Sequence, residues 1–329
     1  MILRTLKQIV KYTIGLSLLL LFLAWYFFVG PHSQLEGSDF NLEKNGLWIK
    51  HAWVGNDQDR AVIEDLALKL AKYDIKYVYV HTGPFDADGT VPDERYQYAE
   101  EFLNILKAKN PDVVPLAWLG QLRSELEIDS PEIRANITDL CQKLIQETGF
   151  EGIHYDIEPI THDDTAFLDL LAETRDTLPE TMISIAADEW QPKLISDVVG
   201  VIMDQEVKSY WQTDYFREAA QYADQIVVMT YDTSLAQPDH YEWLVEQEVI
   251  YLSEILKDTD AELLIGIPTY EDDKESFNPE VENMETGLNG LIKGLNNKRT
   301  ELETFTGVAI YANWETDSEE WATYQELWQ

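Results

Sequence analysis

Eight times after residue 46, a short run rich in β-branched or aromatic residues is followed by a longer stretch with apolar positions at helical spacing. No other feature of the chain constrains its fold as strongly. Strands joined through helices pair in parallel, and the helices cover the faces of the sheet. The predicted strands are Leu47–Val54, Tyr77–His81, Val113–Leu119, Gly152–Glu158, Met182–Ala187, Gln225–Tyr231, Leu263–Pro268 and Gly307–Tyr311. The predicted helices are Asp57–Lys72, Glu94–Lys109, Pro131–Glu147, Thr165–Thr177, Tyr215–Tyr222, Tyr241–Lys257, Glu282–Asn296 and Ser318–Trp328. Ser130 before Pro131 has the form of an N-cap followed by proline at the first helical position. Eight such units over residues 46–329 predict an α/β fold, a (β/α)8 TIM barrel, which typically takes ~250 residues. A doubly wound open sheet is the competing arrangement, but no glycine-rich turn follows the first strand.

The amino terminus is chemically separate. Residues 1–30 carry Arg4, Lys7 and Lys11 and no acid, and the run from residue 12 to 29 is uncharged, with Trp25, Tyr26, Phe27 and Phe28 at its far end. At 1.5 Å per residue such a run nearly crosses a hydrocarbon core of about 30 Å. Basic residues before it and aromatic residues after it predict a transmembrane signal-anchor helix, with the amino terminus cytoplasmic and the rest extracytoplasmic. No small-x-small cleavage site follows, which disfavours a removed signal peptide. The expected organisation is a basic stub and anchor over 1–30, a linker over 31–45, and the barrel over 46–329. The lipid bilayer is therefore an expected partner, through residues 12–29.

The whole chain has 61 Asp and Glu against 24 Lys and Arg, a net charge of −37. Residues 1–30 hold three of those bases and no acid, so the part beyond the anchor has 21 bases against 61 acids, or −40. A surface of that sign repels phosphate backbones, which excludes nucleic acid as a partner. Cys141 is the single cysteine, so neither an intrachain disulfide nor a multi-cysteine metal site can form. In a parallel barrel the chemistry sits at the carboxyl ends of the strands. Those ends bring His81, Trp118, Glu158, Trp190, Tyr231 with Asp232, Tyr270 with Glu271, and Tyr311 to Trp314. Aromatic rings mixed with carboxylates suit a carbohydrate, whose C–H faces stack on rings and whose hydroxyls bond to acids. On strand four His154, Asp156 and Glu158 share one face, while Ile153, Tyr155 and Ile157 share the other. The apolar face belongs against the helices, so the three polar side chains point into the barrel.

These residues resemble glycoside hydrolase family 18, the chitinases and endo-β-N-acetylglucosaminidases. The family's Asp-Gly-x-Asp-x-Asp-x-Glu signature matches at Gly152, Asp156 and Glu158, with Glu151 and His154 in place of its first two acids. Met229-Thr230-Tyr231-Asp232 is similar to its Met-x-Tyr-Asp, and Gly266-Ile267-Pro268-Thr269-Tyr270 to its Gly-x-Pro-x-Tyr. Gly307 to Tyr311 is similar to its strand eight, with Tyr311 where the family usually carries a tryptophan. The strand-three Ser-x-Gly-Gly is echoed only loosely by Ala117 to Gly120. The short interval between Tyr270 and Gly307 leaves no room for the α+β insertion of many members, so an open cleft is expected.

The resemblance implies a glycosidase acting on N-acetylglucosamine glycans by substrate-assisted retention, without cofactor or metal. Glu158 is then the general acid, Asp156 holds the 2-acetamido N–H, and Tyr231 orients its carbonyl oxygen. His154, Asp232 and Met229 support them, and Trp118, Trp190, Tyr270, Tyr311 and Trp314 contact sugar. A histidine at 154 is expected to donate a hydrogen bond to Asp156 or, when charged, to keep it ionised, shifting the acidic limb of the pH profile. Three other readings stay open. A retaining glycosidase can pair Glu158 as acid with Glu271 as nucleophile. A sugar-binding protein without turnover can use the same barrel. A metallohydrolase would draw on His51, His81 and His154, although the first strand lacks a paired His-x-His. Asp86 to Gly89 is expected to be a turn rather than a calcium loop, because Gln97 falls at the twelfth position. Asn136 heads a formal glycosylation sequon inside a helix, and Trp321 and Trp328 are expected to pack the last helix.

Overall fold

The computed structural model describes residues 11–22, 34–190, 210–272 and 276–329. Eight parallel strands close into a barrel in sequence order. They are β1 (Asn45–Ile49), β2 (Ile75–His81), β3 (Val114–Leu122), β4 (Gly152–Glu158), β5 (Met182–Ala187), β6 (Gln225–Met229), β7 (Glu262–Pro268) and β8 (Phe305–Tyr311). Each strand is followed by a helix on the outside: α1 (Arg60–Lys72), α2 (Ala99–Lys109), α3 (Pro131–Lys143), α4 (Thr165–Thr177), α5 (Thr213–Ala219), α6 (Pro238–Leu256), α7 (Met284–Leu295) and α8 (Ser318–Leu327). The (β/α)8 barrel expected from the alternation is the architecture observed.

Two apolar layers hold it together. Outward-facing strand residues such as Ile153, Tyr155, Ile157, Ile183 and Ile185 pack against the helices in one continuous core. A smaller inner cluster, including Trp48, Tyr77, Tyr79, Leu116, Val227 and Leu264, fills the barrel itself. Closure runs through Asn45 at the β1–β8 seam, whose Oδ1 accepts from Val308 N (3.1 Å) and Trp328 Nε1 (3.0 Å). Trp328 is fully buried there, and Trp321 stacks on Tyr73 with centroids 4.0 Å apart, so both pack the last helix as expected.

The expected boundaries fail where an apolar run fits two conformations. The first strand stops at Ile49, and Ala52–Gly55 turns into helix, with Gly55 N–H donating to His51 O. Trp53 then packs on Phe102 (centroids 5.6 Å) instead of continuing the strand. The predicted helix over 94–109 is interrupted before α2, where Tyr98 N–H donates to Val54 O.

Among the described residues no helix is long and apolar enough to cross a membrane. The described residues 11–22 are helical and exposed, and the rest of the predicted span, 23–29 with Trp25 to Phe28, lies outside the described residues. The described part of the predicted linker packs on the barrel where α7 ends: Phe40 is buried, and Asn296 exchanges hydrogen bonds with both backbone groups of Leu35. Residues 31–33 lie outside the described residues.

Candidate active site

β4 carries the centre of the site because its side chains alternate between the helices and the barrel interior. Its three inward residues occupy successive layers, about 6.6 Å apart along the strand. His154 is the deepest and has no solvent exposure. Trp48 Nε1 donates to His154 Nε2 (3.2 Å), so the ring's proton sits on Nδ1 and is donated to Ser184 Oγ (2.8 Å). From there Ser184 and Tyr79 both donate to Gln225 Oε1 (2.8 Å each), and Tyr77 and Lys44 hold Glu262 below (2.6 and 2.9 Å). Tyr79 also stacks on the imidazole, with centroids 4.1 Å apart. Burial lowers the His154 pKa to about 3, so the ring is neutral. The expectation that His154 bonds Asp156, or keeps it ionised as a cation, is therefore corrected. The larger imidazole sinks into the middle layer of the barrel and bonds sideways, to β1 and β5.

Trp118 takes that place. Its Nε1 donates to Asp156 Oδ2 at 2.7 Å, from a register position beside His154 on β3. The other oxygen, Oδ1, is buried without a hydrogen-bond partner. Burial raises the Asp156 pKa to about 6, against the opposing pull of the Trp118 N–H and the neighbouring Glu158, with Asp188 adding repulsion. A cavity of about 150 Å³ opens above this carboxylate, and Glu158, Met229, Tyr231, Asp232, Tyr270 and Tyr311 all line it. The residues expected from β4, β6, β7 and β8 thus meet around one space.

Aromatic packing fixes the walls. Tyr231 lies nearly parallel to Tyr311 (5.6 Å, 24°), while Tyr270 meets Tyr231 edge-on (5.9 Å, 85°). Gly266 makes room for this, since a Cβ there would fall 3.0 Å from Val228 O and 3.2 Å from the Tyr231 ring. Burial and the neighbouring Tyr311 push the Tyr231 pKa well up, so its hydroxyl is a neutral donor. Asp232 adopts a left-handed backbone (φ 62°) and accepts from Ser276 Oγ at 3.2 Å.

Three expected residues stand elsewhere. Trp190 packs on Tyr251 (4.5 Å) while its backbone N–H donates to the buried Glu248, so it serves the outer core and is not among the residues lining this cavity. Trp314 lines a second opening of about 550 Å³ with Lys50, His51, His81, Trp118 and Tyr311. Glu271 is exposed and lines neither space, which leaves the two-carboxylate alternative without its nucleophile. The metal reading loses His154, because both ring nitrogens are engaged. Among the described residues no group of three acidic, His or Cys side chains is placed to hold a metal ion. Asp86 to Gly89 forms the expected turn, closed by Gly89 N–H to Asp86 O. Three cavity residues were missed, Trp48 on β1 and Asp188 and Glu189 after β5. For Asp188 the signal was there: the inward set Ser184, Ala186 continues to Asp188.

The family model described as glycosyl hydrolases family 18 matches residues 27–329. The spore cortex-lytic enzyme SleL of Bacillus megaterium QM B1551 superposes with a TM-score of 0.58 at 15% identity, over 90% of this chain and 76% of that one. The C-terminal domain of Legionella pneumophila ChiA gives 0.57 at 13%, over 87% and 97%. The chitinase-like agglutinin of Robinia pseudoacacia gives 0.55 at 15%, over 87% and 99%. At these identities the likeness to each structure is one of fold. No curated protein sequence matches the chain.

Proposed function

The chain belongs to the glycosyl hydrolases of family 18, and from that premise we propose that it cleaves β-linked N-acetylglucosamine glycans by substrate-assisted retention. The observation that carries this reading is the buried, unpartnered Oδ1 of Asp156, facing a cavity that Glu158 and Tyr231 share. A buried carboxylate oxygen without a donor is costly, and a 2-acetamido N–H is the donor that this reading supplies. Glu158 protonates the glycosidic oxygen while the acetamide oxygen attacks the anomeric carbon. The Tyr231 hydroxyl bonds that oxygen and orients it. Asp156 draws off the positive charge that develops as the ring closes, so it must be ionised. Water then opens the ring intermediate from the same face, with Glu158 taking its proton, and the configuration is retained.

The test is hydrolysis of an N-acetylglucosamine oligomer, with the product anomer followed by NMR. Retention is expected, and Glu158→Gln should lower kcat by about 10²–10⁴-fold. Equal turnover of a glucoside analogue, or a product of inverted configuration, would sink the mechanism. Glycan binding without any turnover would instead select the non-catalytic reading, which the neutral, inward-locked His154 favours. Placement of the barrel outside a membrane, on residues 12–29, is part of the proposal and rests on the sequence. Release of the full chain by alkaline carbonate without detergent would reject it.

A further inference from the structure

The second opening differs in chemistry from the first. Five carboxylates, Asp156, Glu158, Asp188, Glu189 and Asp232, line the inner cavity, with no lysine or arginine among the described residues of its walls. The outer one, beyond Tyr311, is lined by Lys50, two histidines and two tryptophans, with no acid. That is unusual in a chain with 61 acids and 24 bases. Most of the barrel's Arg side chains are tied to carboxylates, as Arg123, Arg134, Arg175 and Arg299 are. Lys50 forms no ion pair among the described residues, and its ammonium lies 5.5 Å from the centroid of Trp314. It projects from the residue after β1, so the barrel seam holds it at the rim. Tyr311 lines both the site and this opening, while Trp118, bonded to Asp156, lines the outer one, and His81 packs on it at 4.5 Å. His81 is held neutral by burial and by His51, its pKa lowered to about 4.

We propose that this opening is a subsite for a sugar carrying one anionic substituent, a carboxylate or a sulfate, paired with Lys50. The proposal rests on the glycosidase reading and names the substrate class for it. The tryptophans supply stacking surface for the ring. Lys50 supplies a full positive charge, and the neutral His81 imidazole supplies a hydrogen-bonding group. The inner cavity sets a limit on the same substrate. Its carboxylates repel an anion, so the sugar held there must not be anionic. The preferred glycan therefore places a non-anionic N-acetylhexosamine next to an acidic sugar, and a polymer with an anion on every sugar is disfavoured. Lys50 thus sets specificity and takes no part in bond cleavage.

Binding tests this separately from turnover. Glu158→Gln protein is titrated calorimetrically with matched oligosaccharides whose second sugar carries a carboxylate, a sulfate or a neutral carboxamide. The carboxylate or the sulfate form, whichever the site takes, should bind roughly two- to fivefold more tightly than the amide at low salt. The gap should narrow at 0.5 M NaCl, and Lys50→Met should abolish it. Equal affinity of all three forms, or a preference that survives Lys50→Met, would overturn the subsite. Wild-type turnover of the amide form is read in parallel. If turnover fails while the affinity gap holds, the glycosidase reading falls and the subsite stands.

Discussion

Trp118 and Asp156 set the acid–base behaviour at the scale of single residues. In the proposed mechanism Asp156 works only when ionised, and burial has raised its pKa to about 6. The acidic limb of kcat/KM should therefore lie near pH 6, with activity lost below it. Because Glu158 is close, the limb reports the pair rather than one group. Trp118→Phe removes the N–H that favours the ionised form, so the limb should move to higher pH by about one unit. An unmoved limb would remove Trp118 from this role. The same shift bears on stability. A carboxyl whose folded-state pKa lies above its unfolded value opposes folding when ionised, at pH above about 6. That penalty fades as pH falls toward the unfolded value. Asp156→Asn should then be more stable than wild type at pH 7.5, by roughly 1–3 kcal/mol. Urea titrations at pH 7.5 and 4.5 check it, and an advantage undiminished at pH 4.5 would contradict the assignment. Alternation on β4 pointed to Asp156 and Glu158, whereas a choice of partner between Trp118 and His154 depends on which strand lies alongside.

Among the elements, β4 and β5 were legible to the residue, whereas β2, β3, β6, β7 and β8 were legible only to within one to three residues at their ends. β4 ends where Pro159 removes the next N–H, and Gly152 at its start fits only because a Cβ would meet Met182 O at 2.7 Å. β1 was not legible in the same way, since Trp53 and Val54 have no breaker before them and the helical turn wins by packing on α2. Helix contacts show the same split. α7 repeats glycine at 287, 290 and 294, a spacing that reads as poor helix from propensity alone. In the fold it is the condition for close approach to α6: a Cβ on Gly290 would stand 2.5 Å from Glu242 O, and one on Gly294 2.8 Å from Val249. Gly290→Ala should destabilise the barrel by about 1–3 kcal/mol despite its better helix propensity. A rise in Tm on thermal unfolding would show that α6 and α7 are not in contact there.

For the whole molecule, the charge of −37 acts through self-repulsion. Ion pairs such as Arg134 with Glu173 and Arg175 with Asp224 relieve it locally, but the acids outnumber their partners. Tm should rise by several degrees between 20 mM and 0.5 M NaCl as the repulsion is screened, and a fall would mean that ion pairs outweigh it. What the sequence determined by itself is periodic: eight strand–helix units, the inward set on β4, the excess of acids and the aromatic strand ends. Period and composition are local, so they survive without coordinates. The tertiary structure decided which neighbour each inward side chain meets. It locked His154 to Trp48 and Ser184, turned Trp118 toward Asp156, withdrew Trp190 to α6, and separated an acidic cavity from one guarded by Lys50. Those outcomes depend on strand stagger around a closed barrel, which joins residues far apart in the chain and leaves no periodic trace in it.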